Sequence, residues 1–153
     1  MAFSLDTSGL LDAWVRHYPP DVFPGVWSLM EAAVAAGEIF VIDEVVRELE
    51  RKDDGIFKLV KNHENIIVPI DEGVQRRVAG IMSKHGRLVD SRKNRSGCDP
   101  WVIALAQERG LTVVTAEKPT RSLARPKIPD VCHDLGVSCI EIIDLFRAQG
   151  WKV

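Results

Sequence analysis

Cysteine is scarce in this chain. Cys98, Cys132 and Cys139 make an odd count with no Cys-x-x-Cys pair, which argues against both a disulfide framework and a structural zinc site. All three are expected to be reduced. Long apolar runs are also missing, and none approaches the roughly 18 residues of a membrane span. The opening residues, Met1-Ala2-Phe3-Ser4-Leu5-Asp6, lack the basic start and extended apolar stretch of a signal peptide, so a cytoplasmic protein with no membrane partner is expected. Nor is there an excess of charge of one sign. The formal net charge of -2 exerts no overall pull on nucleic acid, so any such binding must come from a local patch. No Gly-x-Gly-x-x-Gly, Walker phosphate loop or His-Glu-x-x-His is present, which leaves nucleotide-cofactor and zinc-protease chemistry without support. The four histidines, His17, His63, His85 and His133, are scattered, with no matched serine or carboxylate motif around them.

What the chain does have is an alternation of short apolar runs and amphipathic stretches. With 153 residues, 46% of them hydrophobic, it can bury one core, and residues 1–153 are read as one domain. Phe3-Ser4-Leu5 reads as a first strand, followed by a short helix from Gly9 to Val15 that Tyr18-Pro19-Pro20 breaks. A helix carrying Val26, Leu29, Met30, Ala33 and Val34 stops at Gly37, and Ile39-Phe40-Val41-Ile42 is a buried strand. Asp43 is expected to cap a helix with the stripe Val45, Val46 and Leu49. Asp53-Asp54-Gly55 then turns into an amphipathic stretch with Ile56, Phe57, Leu59 and Val60, and Ile66-Ile67-Val68 is the third strand.

Residues 72 to 85 have helical spacing, the segment from Gly86 to Gly97 is a polar loop, and a helix begins near Asp99 and ends at Gly110. Leu111 to Thr115 is strand four. Lys118 to Pro129, with three prolines, reads as an irregular loop, before a strand near Val137 to Ile140 and a helix from Ile142 to Ala148. Strands alternating with helices imply parallel pairing, hence a three-layer α/β/α sandwich with a mainly parallel sheet.

Four acids stand out against that frame. Asp6 and Glu117 follow strands one and four, where open α/β sheets bind ligands, and Glu48 and Asp99 would arrive on helices. Two carboxylates about 5 Å apart repel by roughly 3 kcal/mol at an effective dielectric near 20, so gathering four is costly without a cation. Each also has an ordinary explanation. Asp99 precedes Pro100 and would serve as an N-cap, Asp6 would cap the helix that follows it, and Glu117 would be a solvated loop acid. Two basic clusters flank the acids: Arg87, Arg92, Lys93 and Arg95, and then Lys118, Arg121, Arg125 and Lys127. Either would serve as phosphate contacts or as solvated loop charge.

Taken in order, Asp6-Thr7-Ser8, Val45-Val46-Arg47-Glu48-Leu49, Asp99-Pro100-Trp101-Val102-Ile103-Ala104-Leu105-Ala106 and Val113-Val114-Thr115-Ala116-Glu117 resemble a PIN domain over nearly the whole chain. The resemblance implies a Mg²⁺- or Mn²⁺-dependent endoribonuclease, often the toxin half of a VapC-like toxin and antitoxin pair. Its partners would be an RNA substrate and a protein antitoxin, with a homodimer as a further family expectation. Asp6 and Asp99 would be the principal metal ligands, Glu48 would bind directly or through water, and Glu117 would complete the catalytic cluster. Ser8 and Thr115 would orient water or phosphate. Arg92, Lys93, Arg95 and Lys118 would contact RNA. The sequence departs from the commonest form of the family where Ala116-Glu117 replaces an aspartate, and glutamate reaches one methylene further. A catalytically degenerate PIN fold that binds RNA or protein is the alternative.

Overall fold

The computed structural model describes residues 1–89 and 97–153. Its sheet has five strands: β1 (Phe3–Leu5), β2 (Ile39–Ile42), β3 (Ile67–Val68), β4 (Thr112–Val114) and β5 (Cys139–Ile140). All pair in parallel, in the order β3-β2-β1-β4-β5. Such short, largely apolar strands suit a sheet covered on both faces. Phe3, Leu5, Ile39, Val41, Ile42, Val113 and Val114 are accordingly buried. From β1 the chain steps outward to β2 and β3, then returns to β4 and β5 on the other side. Because parallel crossovers are right-handed, this reversal puts the helices of the two halves on opposite faces, giving the α/β/α layering.

The first half supplies α1 (Thr7–Leu11), α2 (Pro24–Ala35), α3 (Asp43–Lys52) and α4 (Asp54–Lys61). Asp12–His17 continues α1 as a π-helical turn. This helix begins two residues earlier than the expected Gly9, and it brings Trp14 edge-on to Trp27 with ring centroids 4.6 Å apart. Trp27 Nε1 donates to the Tyr18 carbonyl at 2.7 Å, so that indole is a core element with its polar atom satisfied. Along α3, Val45, Val46 and Leu49 face inward as expected. Asp43 is its first helical residue rather than its cap, and pairs with Arg47 at 3.0 Å. Asp53 does cap α4, accepting from the amides of Gly55 and Ile56.

The second half supplies α5 (Glu72–Lys84), α6 (Asp99–Arg109), α7 (Ile128–Leu135) and α8 (Ile142–Ala148). Helix α6 is the hub. Val102, Ile103, Ala104, Leu105 and Ala106 are buried one after another as it crosses β1, β2 and β4 between α5 and α7. Gly110 ends it at φ 66°, a left-handed conformation that costs glycine little. Helix α7 is absent from the sequence reading, which ran a loop through Pro129; proline is tolerated in a first helical turn, where its missing N–H has no partner to lose.

Gly9 decides how closely α1 meets β4, because a Cβ there would lie 3.2 Å from the Val114 carbonyl oxygen. Gly9→Ala should therefore lower the melting temperature by roughly 2–10 °C, the effect of about 1–3 kcal/mol of overpacking in a chain this size. A thermal melt checks this, and an unchanged midpoint would mean that the gap can widen freely.

Candidate active site

The reversal of strand order falls between β1 and β4, and in open α/β sheets the crevice at the carboxyl ends of those two strands is where ligands bind. Asp6 leaves β1 at that point. Its amide donates to the Val114 carbonyl at 2.9 Å, which ties it to the end of β4. Its carboxylate does not cap α1. Instead Asp6 Oδ2 accepts from Ser8 Oγ at 2.6 Å and from Thr115 Oγ1 at 2.8 Å. Each hydroxyl also accepts a backbone amide, Ala116 on Ser8 and Glu117 on Thr115, both at 3.1 Å. A hydroxyl that accepts an N–H has its own proton turned toward the carboxylate, so both side chains orient Asp6.

Asp6 is 3% exposed. Burial is the largest influence on its acidity. Although the two hydroxyls act the other way, burial and the nearby charges of Glu117 and Glu48 push its pKa up from 3.8 to about 6. Glu48 is likewise buried, next to the apolar stripe of α3. Thr7 Oγ1 donates to its Oε2 at 3.1 Å and Lys52 Nζ pairs with its Oε1 at 2.7 Å. Asp99, also buried, is the first helical residue of α6; the N-cap position belongs to Cys98, whose side chain makes no capping bond. Asp99 thus sits one position inside the cap that the sequence predicted for it.

Asp6, Glu48, Asp99 and Glu117 line a single cavity of about 280 Å³ together with Asp12, Lys52, Thr7, Ser8 and Leu11. Four separate elements deliver the four acids to it. Among the described residues no three acidic, histidine or cysteine side chains already stand close enough to enclose an ion. Glu117 is half-buried, and its Oε2 accepts the amide of Ile128 at 2.9 Å, the first residue of α7. The longer side chain therefore closes the base of the loop 118–127 while lining the cavity. Lys52, Thr7 and Asp12 are cavity residues that sequence reading missed. Lys52 was detectable as the i+4 partner of Glu48 on one helix face, and Thr7 as the neighbour of Asp6; for Asp12 no sequence signal exists.

The basic candidates are placed differently. Lys118 is exposed and ion-paired with Glu141. Arg92, Lys93 and Arg95 lie outside the described residues. A larger cavity of about 650 Å³ sits beside the loop 118–127, lined in part by Arg121, Leu123 and His133, and contains none of the four acids. His85 is buried against Asp134 at 2.8 Å, away from the acidic cavity.

The solved structures that share this fold include FitAcB and VapBC2. FitAcB from Neisseria gonorrhoeae is 18% identical with a TM-score of 0.51, over 92% of this chain and 96% of that one. VapBC2 from Rickettsia felis, bound to a DNA fragment from their promoter, is 13% identical with a TM-score of 0.55, over 92% of this chain and 98% of that one. At such identities the likeness is one of fold, and that fold is PIN-like. No curated protein sequence matches the chain. A family model described as Domain of unknown function (DUF4411) matches residues 3–153, and the chain belongs to that family.

Proposed function

We propose that the protein is a metal-dependent endoribonuclease of the PIN type, acting as the toxin component of a toxin and antitoxin pair. The observation that carries this reading is the delivery of Asp6, Glu48, Asp99 and Glu117 by four separate elements to one cavity at the strand-order reversal. Fold likeness to FitAcB and VapBC2 supports it, as does the ordered sequence resemblance to PIN domains.

The donor set fits a hard divalent ion. It is made of carboxylate oxygens, which suit Mg²⁺ and Mn²⁺, and the raised pKa of Asp6 reflects buried negative charge that a dication would compensate. An open carboxylate-lined cavity is sufficient, since Mg²⁺ keeps several waters and takes only one or two carboxylates directly. Asp6 and Asp99 would hold the ion, with Glu48 and Glu117 binding directly or through water. A divalent ion held there would supply a lowered water pKa and compensation of phosphate charge. The chain's own contribution is orientation. Ser8 and Thr115 fix the Asp6 carboxylate, Thr7 fixes that of Glu48, and burial keeps bulk water from screening either. RNA is the proposed substrate, with Arg92, Lys93, Arg95 and Lys118 as candidate phosphate contacts. A protein antitoxin would act by occluding the acidic cavity, and a cytoplasmic setting and a homodimer complete the reading.

The test is cleavage of RNA by the purified chain with Mn²⁺ or Mg²⁺ and with a chelator. Cleavage should require the metal, and Asp99→Asn should lower kcat/KM by on the order of 10²-fold or more, about 3 kcal/mol of transition-state stabilisation. The competing reading, a catalytically silent RNA- or protein-binding module, draws support from the Lys52 ammonium seated on Glu48. RNA binding without metal-dependent cleavage would favour it.

A further inference from the structure

Resting on the nuclease reading, we infer that Lys52 is a movable cation that holds the place of the metal on Glu48 and then transfers to an RNA phosphate. Among the described residues, five carboxylates and one ammonium, that of Lys52, line the acidic cavity. Lys52 is the last residue of α3, one turn beyond Glu48, so helix geometry alone brings the two side chains together. The pair is asymmetric. The Glu48 side chain is 5% exposed and that of Lys52 52%. The carboxylate cannot leave without losing its bond from Thr7, whereas the ammonium, on a flexible four-carbon stem, can swing into water at little cost.

A strongly hydrated point charge with three donors also suits a phosphate oxygen, for which lysine is a common partner. A divalent ion held by Glu48 would displace the ammonium, whose flexible stem and half-exposed position would let it reach a phosphate of a strand bound at the same cavity. Lys52 thus acts as a positioning residue. It lowers apparent metal affinity in the free protein and raises affinity for the substrate in the loaded one.

The experiment compares the wild type with Lys52→Gln, Lys52→Met and Lys52→Arg. Mn²⁺ binding is followed without RNA by electron paramagnetic resonance of the free ion, and cleavage is followed under saturating Mn²⁺. Both neutral variants should bind Mn²⁺ roughly three- to tenfold more tightly, the weight of one charge-assisted hydrogen bond to a half-exposed ammonium. Their KM for RNA should rise by a similar factor with kcat within about twofold, the pattern of lost uniform binding. Lys52→Arg, which keeps the charge, should restore both. An ion pair that merely stabilises α3 would move the melting temperature and neither of these quantities. Unchanged Mn²⁺ affinity or unchanged KM in a folded neutral variant overturns the proposal while leaving the nuclease reading intact. Failure of the wild type to bind Mn²⁺ overturns both.

Discussion

Asp6→Asn should melt at a higher temperature than the wild type in metal-free buffer near pH 7.5, and it should lose Mn²⁺-dependent RNA cleavage. Ordinary loss of a buried hydrogen-bonded carboxylate would do the first in reverse. The difference lies in how Asp6 is held. Burial first, and then the charges of Glu117 and Glu48, raise its pKa from 3.8 to about 6, so ionisation opposes folding. Below about pH 4 the group is neutral in both states and exacts no penalty. Between pH 4 and 6 the native state binds more protons than the unfolded chain, so stability falls as pH rises; above pH 6 the full penalty, about 3 kcal/mol for two pKa units, is present. Asparagine removes the charge yet can still accept from Ser8 and Thr115. Its gain should be about 1–3 kcal/mol, roughly 2–10 °C for a chain of this size. The gain should vanish below pH 4, and saturating Mn²⁺ should reverse it by stabilising the wild type alone. Melts of both proteins from pH 4 to 8, with and without Mn²⁺, check the sign. A less stable variant that still cuts RNA at the wild-type rate would make Asp6 a structural residue.

Asp130 provides the opposite case. It is buried at the start of α7, and its carboxylate accepts from Thr120 N at 3.0 Å, Thr120 Oγ1 at 2.8 Å, Arg121 N at 2.8 Å and Lys127 N at 2.9 Å. Burial by itself would raise its pKa. The hydrogen bonds from Lys127, Thr120 and Arg121 together outweigh that and hold it below the usual aspartate range. Through them the loop 118–127 is wrapped around one side chain, which accounts for Arg121 tolerating φ 59°. Asp130→Ala leaves three backbone amides to find other partners, an expected loss of about 3–5 kcal/mol and a melting temperature lower by roughly 6–20 °C. Here stability is present above the unfolded pKa and is lost as pH falls through the lower native one, so the variant and the wild type should converge in acid. A small shift that is constant with pH would assign the loop's order to other contacts. Glu117 accepts from Ile128 at the same helix start, so the variant should also weaken cleavage.

Much of this architecture was legible from residue pattern. The strands are continuous apolar runs between breakers, and Ile39–Ile42 and Ile142–Ala148 fall where periodicity put them because nothing in the tertiary structure opposes local preference there. Helix α7 was hidden by prolines whose meaning depends on position, disruptive within a helix and harmless in its first turn. Leu88, fully buried in a 3₁₀ turn, was lost in a stretch read as polar loop, since one apolar residue carries no periodicity. For the site, order and spacing singled out the four acids. What they could not reveal was how each is held. The caps assumed for Asp6 and Asp99 are local interactions, whereas Asp6 is held in part by Thr115 at the end of the neighbouring strand, 109 residues away in sequence. Ser8 and Thr115 proved to orient that carboxylate, and Lys52 joins Glu48 through the i,i+4 spacing that the sequence already carried.

The β1 and β4 pairing has a temporal consequence. Asp6 is made long before Thr112, where its neighbour strand begins, and before Glu117, its last acidic companion. A nascent polypeptide released or stalled before that point lacks the Glu117 wall of the cavity and the hydroxyl support from Thr115. On the proposed nuclease reading, a growing chain gains its cutting power only after β4 and Glu117 have been made.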